Sequence, residues 1–256
     1  MRPLKRSVNH AEPKSNTTKR LLAYTLAAFL FAVFCALGTW QVQRLQWKLE
    51  LIERVEARAF GTPQALPSPA QWSSVQRDTH EYLKVKLQGV YLPQYSSRVQ
   101  ASTVLGPGHW WLTPLQTSVG LVWVNRGYAP SGEADPLSNQ PTGTPVEVVG
   151  LLRISEPGGG FLRSNQPEQG RWFSRDVLAL SQQHGLNNVA PFFVDAGEPR
   201  NLNPEMITFK PQTYPVDGLT IVRFTNHHLM YAITWYALAL LVAIATVLLR
   251  RHLASR

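Results

Sequence analysis

Cysteine is almost absent: Cys35 is the one cysteine in 256 residues. A lone cysteine rules out an intramolecular disulfide, a zinc ribbon and a cysteine-ligated iron–sulfur cluster. Charge is scarce too, at 16 % of residues. There is no HExxH, no GxSxG, no Walker-type loop and no GxGxxG leading from a strand into a helix. Metalloprotease, α/β-hydrolase, NTPase and dinucleotide chemistry therefore lack their anchors. Gly158-Gly159-Gly160 is followed by neither Lys-Ser/Thr nor a helix start, and reads as a turn. No internal repeat or low-complexity segment is present. What the chain does have is apolar mass, 44 % of residues with eight Trp and eight Tyr, too much for a disordered polypeptide. It also has 25 Lys and Arg against 16 Asp and Glu, a net +9, which raises the question of nucleic acid.

The position of those charges answers it. Uncharged runs of 23 residues between Arg20 and Arg44, and of 26 between Arg223 and Arg250, lie near the two ends. A bilayer core of about 30 Å takes roughly 20 apolar helical residues, and neither run contains the proline that would break a helix. A buried core helix and a cleaved signal peptide are the alternatives. The first run exceeds the usual signal core of about 7–15 residues, so it reads as an uncleaved anchor. Residues 1–20 carry six basic residues and one acidic, and residues 250–256 carry three basic. Both tails therefore read as cytoplasmic. The expected division is a basic tail (1–20), a first span (21–40), an extracytoplasmic domain (41–228), a second span (229–249) and a basic tail (250–256). The 188-residue domain holds 16 basic and 15 acidic residues and is nearly neutral. The excess charge marks orientation, and no nucleic-acid partner is expected. The domain would face the periplasm of a bacterium or the intermembrane space of a mitochondrion. The lack of an Arg/Ser-rich transit segment favours the bacterial inner membrane.

Within the domain, Val42, Leu45, Leu49, Ile52 and Val55 recur at three- and four-residue spacing, an amphipathic helix continuing the first span. Gly61, Pro63, Pro67 and Pro69 end it. Strand signals follow. Leu83, Val85 and Leu87 alternate with Lys84, Lys86 and Gln88. Segments 110–116, 120–130, 146–154, 190–197 and 219–224 read as further strands, separated by Pro/Gly turns. This pattern predicts an antiparallel barrel or sandwich. One short helix fits 174–185, with Ser174 as N-cap and Gly185 as the stop. The predicted fold class is a membrane protein of two terminal α-helices flanking a β-rich domain.

Three polar constellations stand out. His228, Tyr231 and Trp235 fall at i, i+3 and i+7 where the chain enters the second span. A neutral imidazole beside aromatic rings can ligate haem iron; an interfacial aromatic belt has the same composition. Trp40, Arg44 and Trp47 share a face of the first helix, where an arginine between indoles makes a cation–π contact, binds an anionic group such as a propionate or a lipid phosphate, or anchors the interface. Asn125, Arg126 and Gly127 end a strand, where Arg126 can meet an acidic partner or pin a turn. Asp176 and His184, with Ser174 and Ser181 nearby, outline a triad only loosely. An acid at a helix start and a histidine at its end also satisfy the helix dipole. No catalytic residue is assigned.

The segments LGTWQVQRLQWKLELI (37–52), LVWVNRGYAP (121–130), VEVVGLLRISEPGGGF (146–161), NQPEQGRWFSRDV (165–177) and NHHLMYAITWYALA (226–239), in this order, resemble the Surfeit locus protein one (Shy-type) family of cytochrome c oxidase assembly factors. The resemblance covers nearly the whole chain. It implies a non-enzymatic chaperone of respiratory-chain biogenesis that assists haem a delivery or metal-centre maturation in subunit I. The implied partners are subunit I, haem a synthase and membrane lipid. His228 matches the histidine of the family's NxHL motif; Trp40, Gln41, Arg44, Trp47 and Lys48 match its first motif. Tyr128 stands where many members carry Trp. The resemblance tilts His228 toward haem contact, with Tyr231 and Trp235 beside it, and Arg44 toward propionates. A pure scaffold for subunit I, without cofactor, and a two-span periplasmic ligand-binding sensor are the other classes that fit the architecture.

Overall fold

The computed structural model describes residues 15–132, 143–160, 162–199, 213–222 and 224–255. The chain divides into a helical unit (Met1–Leu51 with Thr225–Arg256) and a β-rich unit (Ile52–Phe224).

Helix α1 (Ser15–Ala59) is one unbroken element of 45 residues. The expected span and the amphipathic segment are thus a single rod, since no proline interrupts residues 15–59 and every backbone bond can continue. Its last turns bury Val55 and Ala59 and expose Glu53, Arg54 and Glu56. Leu49, on the expected apolar stripe, is exposed.

The β-rich unit then runs through β1 (Gln64–Ala65), the single turn α2 (Arg77–His80), β2 (Lys84–Tyr91), β3 (Ser97–Thr103), β4 (Gly106–Thr117), β5 (Gly120–Pro130) and β6 (Pro145–Ile154). A two-residue hairpin, β7 (Gly159–Gly160) with β8 (Arg163–Ser164), absorbs the triple glycine. Helix α3 (Val177–Gln183) and β9 (Val189–Ala196) follow. Pairing runs β2–β6–β9–β5–β4 and returns to β2 through Gly89–Tyr91 against Leu115–Thr117. Five strands therefore close into a barrel, with β3 and β1 as outer strands. Closure removes the exposed edges an open sheet would present. All pairs of the ring are antiparallel except β5 with β9.

The barrel lumen is packed. Val85, Leu87, Leu115, Val122, Val124, Val148, Leu152, Ala190, Phe192 and Val194 form its core. A second core lies outside the wall, where α3 and Trp172 cover Val99, Leu112, Trp123 and Phe193. Strands β5 and β9 are therefore buried on both faces, which is why Val122-Trp123-Val124 and Phe192-Phe193-Val194 show no polar alternation.

Two local expectations are corrected. The N-cap of α3 is Asp176, whose Oδ1 accepts from Ala179 N–H at 3.1 Å. Ser174 instead donates its hydroxyl to the Glu156 carbonyl and accepts from Asn165 Nδ2, a tie across the chain that the local pattern does not display. Segment 219–224 is not a strand in its described residues. The barrel is already closed without it, and side chains hold it: Leu219 and Val222 are buried, and Thr220 Oγ1 donates to Asp195 Oδ2 at 2.8 Å.

The chain returns to the helical unit as α4 (His228–Ala254). Thr18–Ala59 and His228–His252 each contain a stretch long and apolar enough to cross a membrane, and only 6 % and 11 % of those stretches is buried. Soluble core helices hide such faces; these expose Leu21, Leu22, Phe29, Leu240, Leu241 and Ile244, as lipid-covered helices do.

Candidate functional site

The sequence places most chemistry-bearing residues where α1 meets α4. The two helices touch closely at Gly38. A Cβ built there would lie 2.8 Å from the Tyr236 ring, so only glycine lets the ring in, a common device of helix packing in apolar media. Beside it Thr39 Oγ1 and Tyr236 OH are hydrogen-bonded at 3.0 Å, and Phe34 stacks on Trp235 with ring centroids 5.7 Å apart. One helical turn on, His228 Nδ1 donates to Gln41 Oε1 at 2.7 Å, and Gln41 is buried.

That bond determines what His228 can do. The amide oxygen accepts only, so the neutral ring carries its proton on Nδ1 and keeps the lone pair on Nε2. An acceptor behind a histidine both orients the ring and makes it a better donor to a metal. Asn226 Oδ1 accepts from His228 N–H at 3.2 Å in a local turn just before α4, whose N-cap is His227. Its other amide atom, Nδ2, is buried with no hydrogen-bond partner among the described residues. A buried orphan donor costs about 1–3 kcal/mol, which a ligand oxygen would relieve. One Nε2 lone pair and one N–H without a partner, beside aromatic rings, would suit haem: His228 would hold its iron and Asn226 a polar substituent.

The other residues of this cluster sit as follows. Tyr231 is exposed and Trp235 half-buried. Arg44 Cζ lies 3.9 Å from the Trp47 centroid, the Trp47 half of the expected sandwich. Trp40 and Trp47 are 54 % and 44 % exposed, open to lipid or ligand. Sequence reasoning singled out His228 but gave Gln41 and Asn226 no role. The motif matches contained both residues, Gln41 in the first motif and Asn226 opening NHHL, but the sequence offered no contact for either.

Asn125, Arg126 and Gly127 belong to the β-rich unit and act within it. Asn125 Nδ2 donates to Asp195 Oδ1 at 2.7 Å while its Oδ1 accepts from Gly127 N–H at 3.2 Å. Gly127 has φ +131°, and a Cβ would collide with the Val216 carbonyl. Arg126 Cζ stands 4.1 Å from the Tyr91 ring centroid; burial pushes the Tyr91 phenol up to about 12, against the opposing pull of Arg126. The buried Asp195 also receives Arg153 at 2.7 Å and Arg175 at 3.2 Å. Burial would raise its carboxyl, but these two guanidiniums and the bonds from Asn125 and Thr220 hold it below the ordinary carboxylate range. Glu81 and Glu156 complete the network. Three carboxylates thus surround two guanidiniums at the barrel wall, a saturated structural cluster.

Asp176 and His184 do not form a triad. Asp176 accepts from Ala179 and Gly158 N–H. His184 pairs with Ser97 Oγ at 3.0 Å. Ser181 Oγ donates to the Val177 carbonyl and accepts from Trp123 Nε1.

Fold and site together define a class: a small, filled β-barrel carried between two long apolar helices that meet at a histidine with a fixed tautomer. The chain belongs to the SURF1 family, whose match extends over residues 28–240. It is 31 % identical to Surfeit locus protein 1 of Rattus norvegicus, over 82 % of this chain and 70 % of the relative. It is 29 % identical to the Homo sapiens protein of that name, over 91 % and 77 %, and 34 % identical to that of Takifugu rubripes, over 79 % and 86 %.

Proposed function

We propose that the protein is an assembly factor for a haem-a-containing cytochrome c oxidase. It is held by α1 and α4 in a bacterial inner membrane, with both termini cytoplasmic and the barrel on the periplasmic side. Its cargo is haem a, passed toward subunit I of the oxidase, with haem a synthase as the source. Family membership, through the resemblance of its motifs, supports the oxidase assignment. The observation that carries the haem reading is the Gln41–His228 bond at 2.7 Å, which leaves Nε2 as the free donor.

The chain's own residues have distinct tasks in this reading. Gln41 orients the imidazole, Asn226 Nδ2 offers a hydrogen bond to a carboxylate or carbonyl of the cargo, and Arg44 on Trp47 presents a cation for a propionate. A single neutral nitrogen ligand with half-exposed aromatic walls holds its cargo reversibly, as a carrier requires. The protein performs no reaction of its own.

The test is haem content. The protein is purified from cells that make haem a, and bound haem is read as the pyridine haemochrome spectrum. Wild type is expected to carry haem a and His228→Ala little. Equal, negligible haem in both rules out direct carriage and leaves the scaffold reading. Membranes of a deletion strain are expected to lose the oxidase band in reduced-minus-oxidised spectra; an unchanged band sinks the oxidase assignment.

A further inference from the structure

The barrel's outer face at β3 gathers three arginines without a carboxylate partner among the described residues. Several other cations of the unit meet carboxylates: Arg77 and Arg153 with Glu81, Arg175 with Glu156 and Asp195, Lys84 with Glu198, Lys86 with Glu147. Arg98, Arg163 and Arg171 have no carboxylate within ion-pair distance among the described residues. All three are exposed, and all three gather on one side of β3.

Their setting is built. Strand β3 alternates, so Arg98 and Gln100 point outward while Val99 and Ala101 point in. Gln100 N–H donates to the Trp172 carbonyl at 2.8 Å, which fixes the strip 170–173 beside β3. Arg163 Nη1 donates to Gln100 Oε1 at 3.0 Å and its Cζ lies 5.6 Å from the Phe173 ring. Arg98 Cζ lies 5.8 Å from the Trp111 ring. A hollow of about 440 Å³ is lined by Arg98, Gln100, His109, Arg171 and Trp172. A second, of about 420 Å³, shares Arg98, Gly170 and Trp172 with it and extends past Ser97 and His184. His109 reports the local field: burial and the nearby Arg98 hold its ring below the ordinary value, so it is neutral at pH 7.

We infer that this double hollow is a docking groove for an acidic segment of a partner protein. Guanidiniums match carboxylates in planar, two-point geometry, and arginine clusters are a recurring solution for acidic motifs. The groove is open and elongated. A small anion there would stay largely hydrated, whereas a peptide can set carboxylates on Arg98 and Arg171 at once while an apolar part covers the half-buried Phe173. Arg98 and Arg163 already lie over aromatic faces, so these two have less side-chain freedom to lose on binding. The domain's net charge of only one unit over 188 residues makes this a local site, unlike the broad field of a nucleic-acid binder. The inference does not depend on haem.

The test uses the full chain in neutral detergent and a fluorescein-labelled hexaglutamate peptide, with anisotropy as readout. Binding is expected to be at least ~10-fold weaker in Arg98→Gln/Arg171→Gln and to weaken similarly when salt rises from about 50 to 500 mM. Hexalysine is expected not to bind, and inorganic phosphate not to compete at equal charge concentration. Because both arginines are exposed, the variant should melt as wild type does. Equal hexaglutamate affinity in variant and wild type overturns the inference. Full competition by phosphate makes the groove a small-anion site, and preferential, arginine-dependent binding to phosphatidylglycerol vesicles makes it a lipid contact; either result also overturns it.

Discussion

At the scale of the residue, amide side chains make contacts to which sequence inspection assigns no role. Gln41 is one of many glutamines, yet its oxygen behind His228 sets which ring nitrogen is free. Gln41→Leu removes that acceptor. In ¹⁵N spectra of imidazole-labelled protein in detergent, wild type is expected to show one neutral tautomer with the proton on Nδ1. The variant is expected to show a mixture, and to retain less haem without losing its fold. A single unchanged tautomer in the variant would remove the role given to Gln41. Asn125 bridges Asp195 and the Gly127 N–H. Asn125→Ala leaves a buried carboxylate oxygen and a backbone donor short of partners, and should lower stability by about 1–3 kcal/mol in chemical denaturation. Tyr128 illustrates a tolerated exchange: its phenol reaches the carbonyls of Gly106 and Pro107 at 3.1 and 3.0 Å, so an aromatic with a polar end suits the position.

Elements were legible in proportion to how local their cause is. The long apolar runs, the alternation of β2, and the turns around β4, β5 and β6 announce themselves, because burial on one face or along a whole run writes a period into the sequence. The helix at 174–185 was visible, but its cap was not, since Asp176 and Ser174 both suit that role and only the Glu156 carbonyl and Asn165, brought near by the barrel, decide between them. Segment 219–224 has strand composition without a strand partner among its described residues. His228 was visible as a motif; its tautomer was not, because Gln41 lies 187 positions away. At this scale the contact of α1 with α4 makes a prediction. Gly38→Leu drives a side chain into the Tyr236 ring and should lower the melting temperature in detergent. Adding Tyr236→Ala, which vacates that space, should recover part of the loss. Strict additivity of the two changes would deny the close contact.

For the whole molecule, acid should be the weak flank. Burial holds the His184 ring below its usual value, as burial and Arg98 do for His109. A histidine whose folded pKa is lowered gives its full stabilisation above the unfolded value of about 6.5 and loses it as pH falls below that. The carboxyls of Asp195 and Glu156, held low against burial by Arg175 and Arg153, stabilise at higher pH and lose their contribution as pH falls below about 4 toward their folded values. Melting temperature in detergent is therefore expected to decline in two stages from pH 7 downward. His184→Gln should flatten the upper stage and leave the lower one. A melting temperature that rises on acidification from pH 7 to about 5 contradicts this account.

The order of the staves has a consequence for biogenesis. Strand β9 sits between β5 and β6, although both precede it in the chain. Until residue 196 has emerged, the sheet has two unpaired flanks, and the wall that α3 and Trp172 cover lacks Phe193. The barrel cannot shut stave by stave as it is delivered; it must wait, adhesive and incomplete, for its last strand. Any stop codon before Val189 therefore yields a sticky, aggregation-prone remnant instead of a shortened protein.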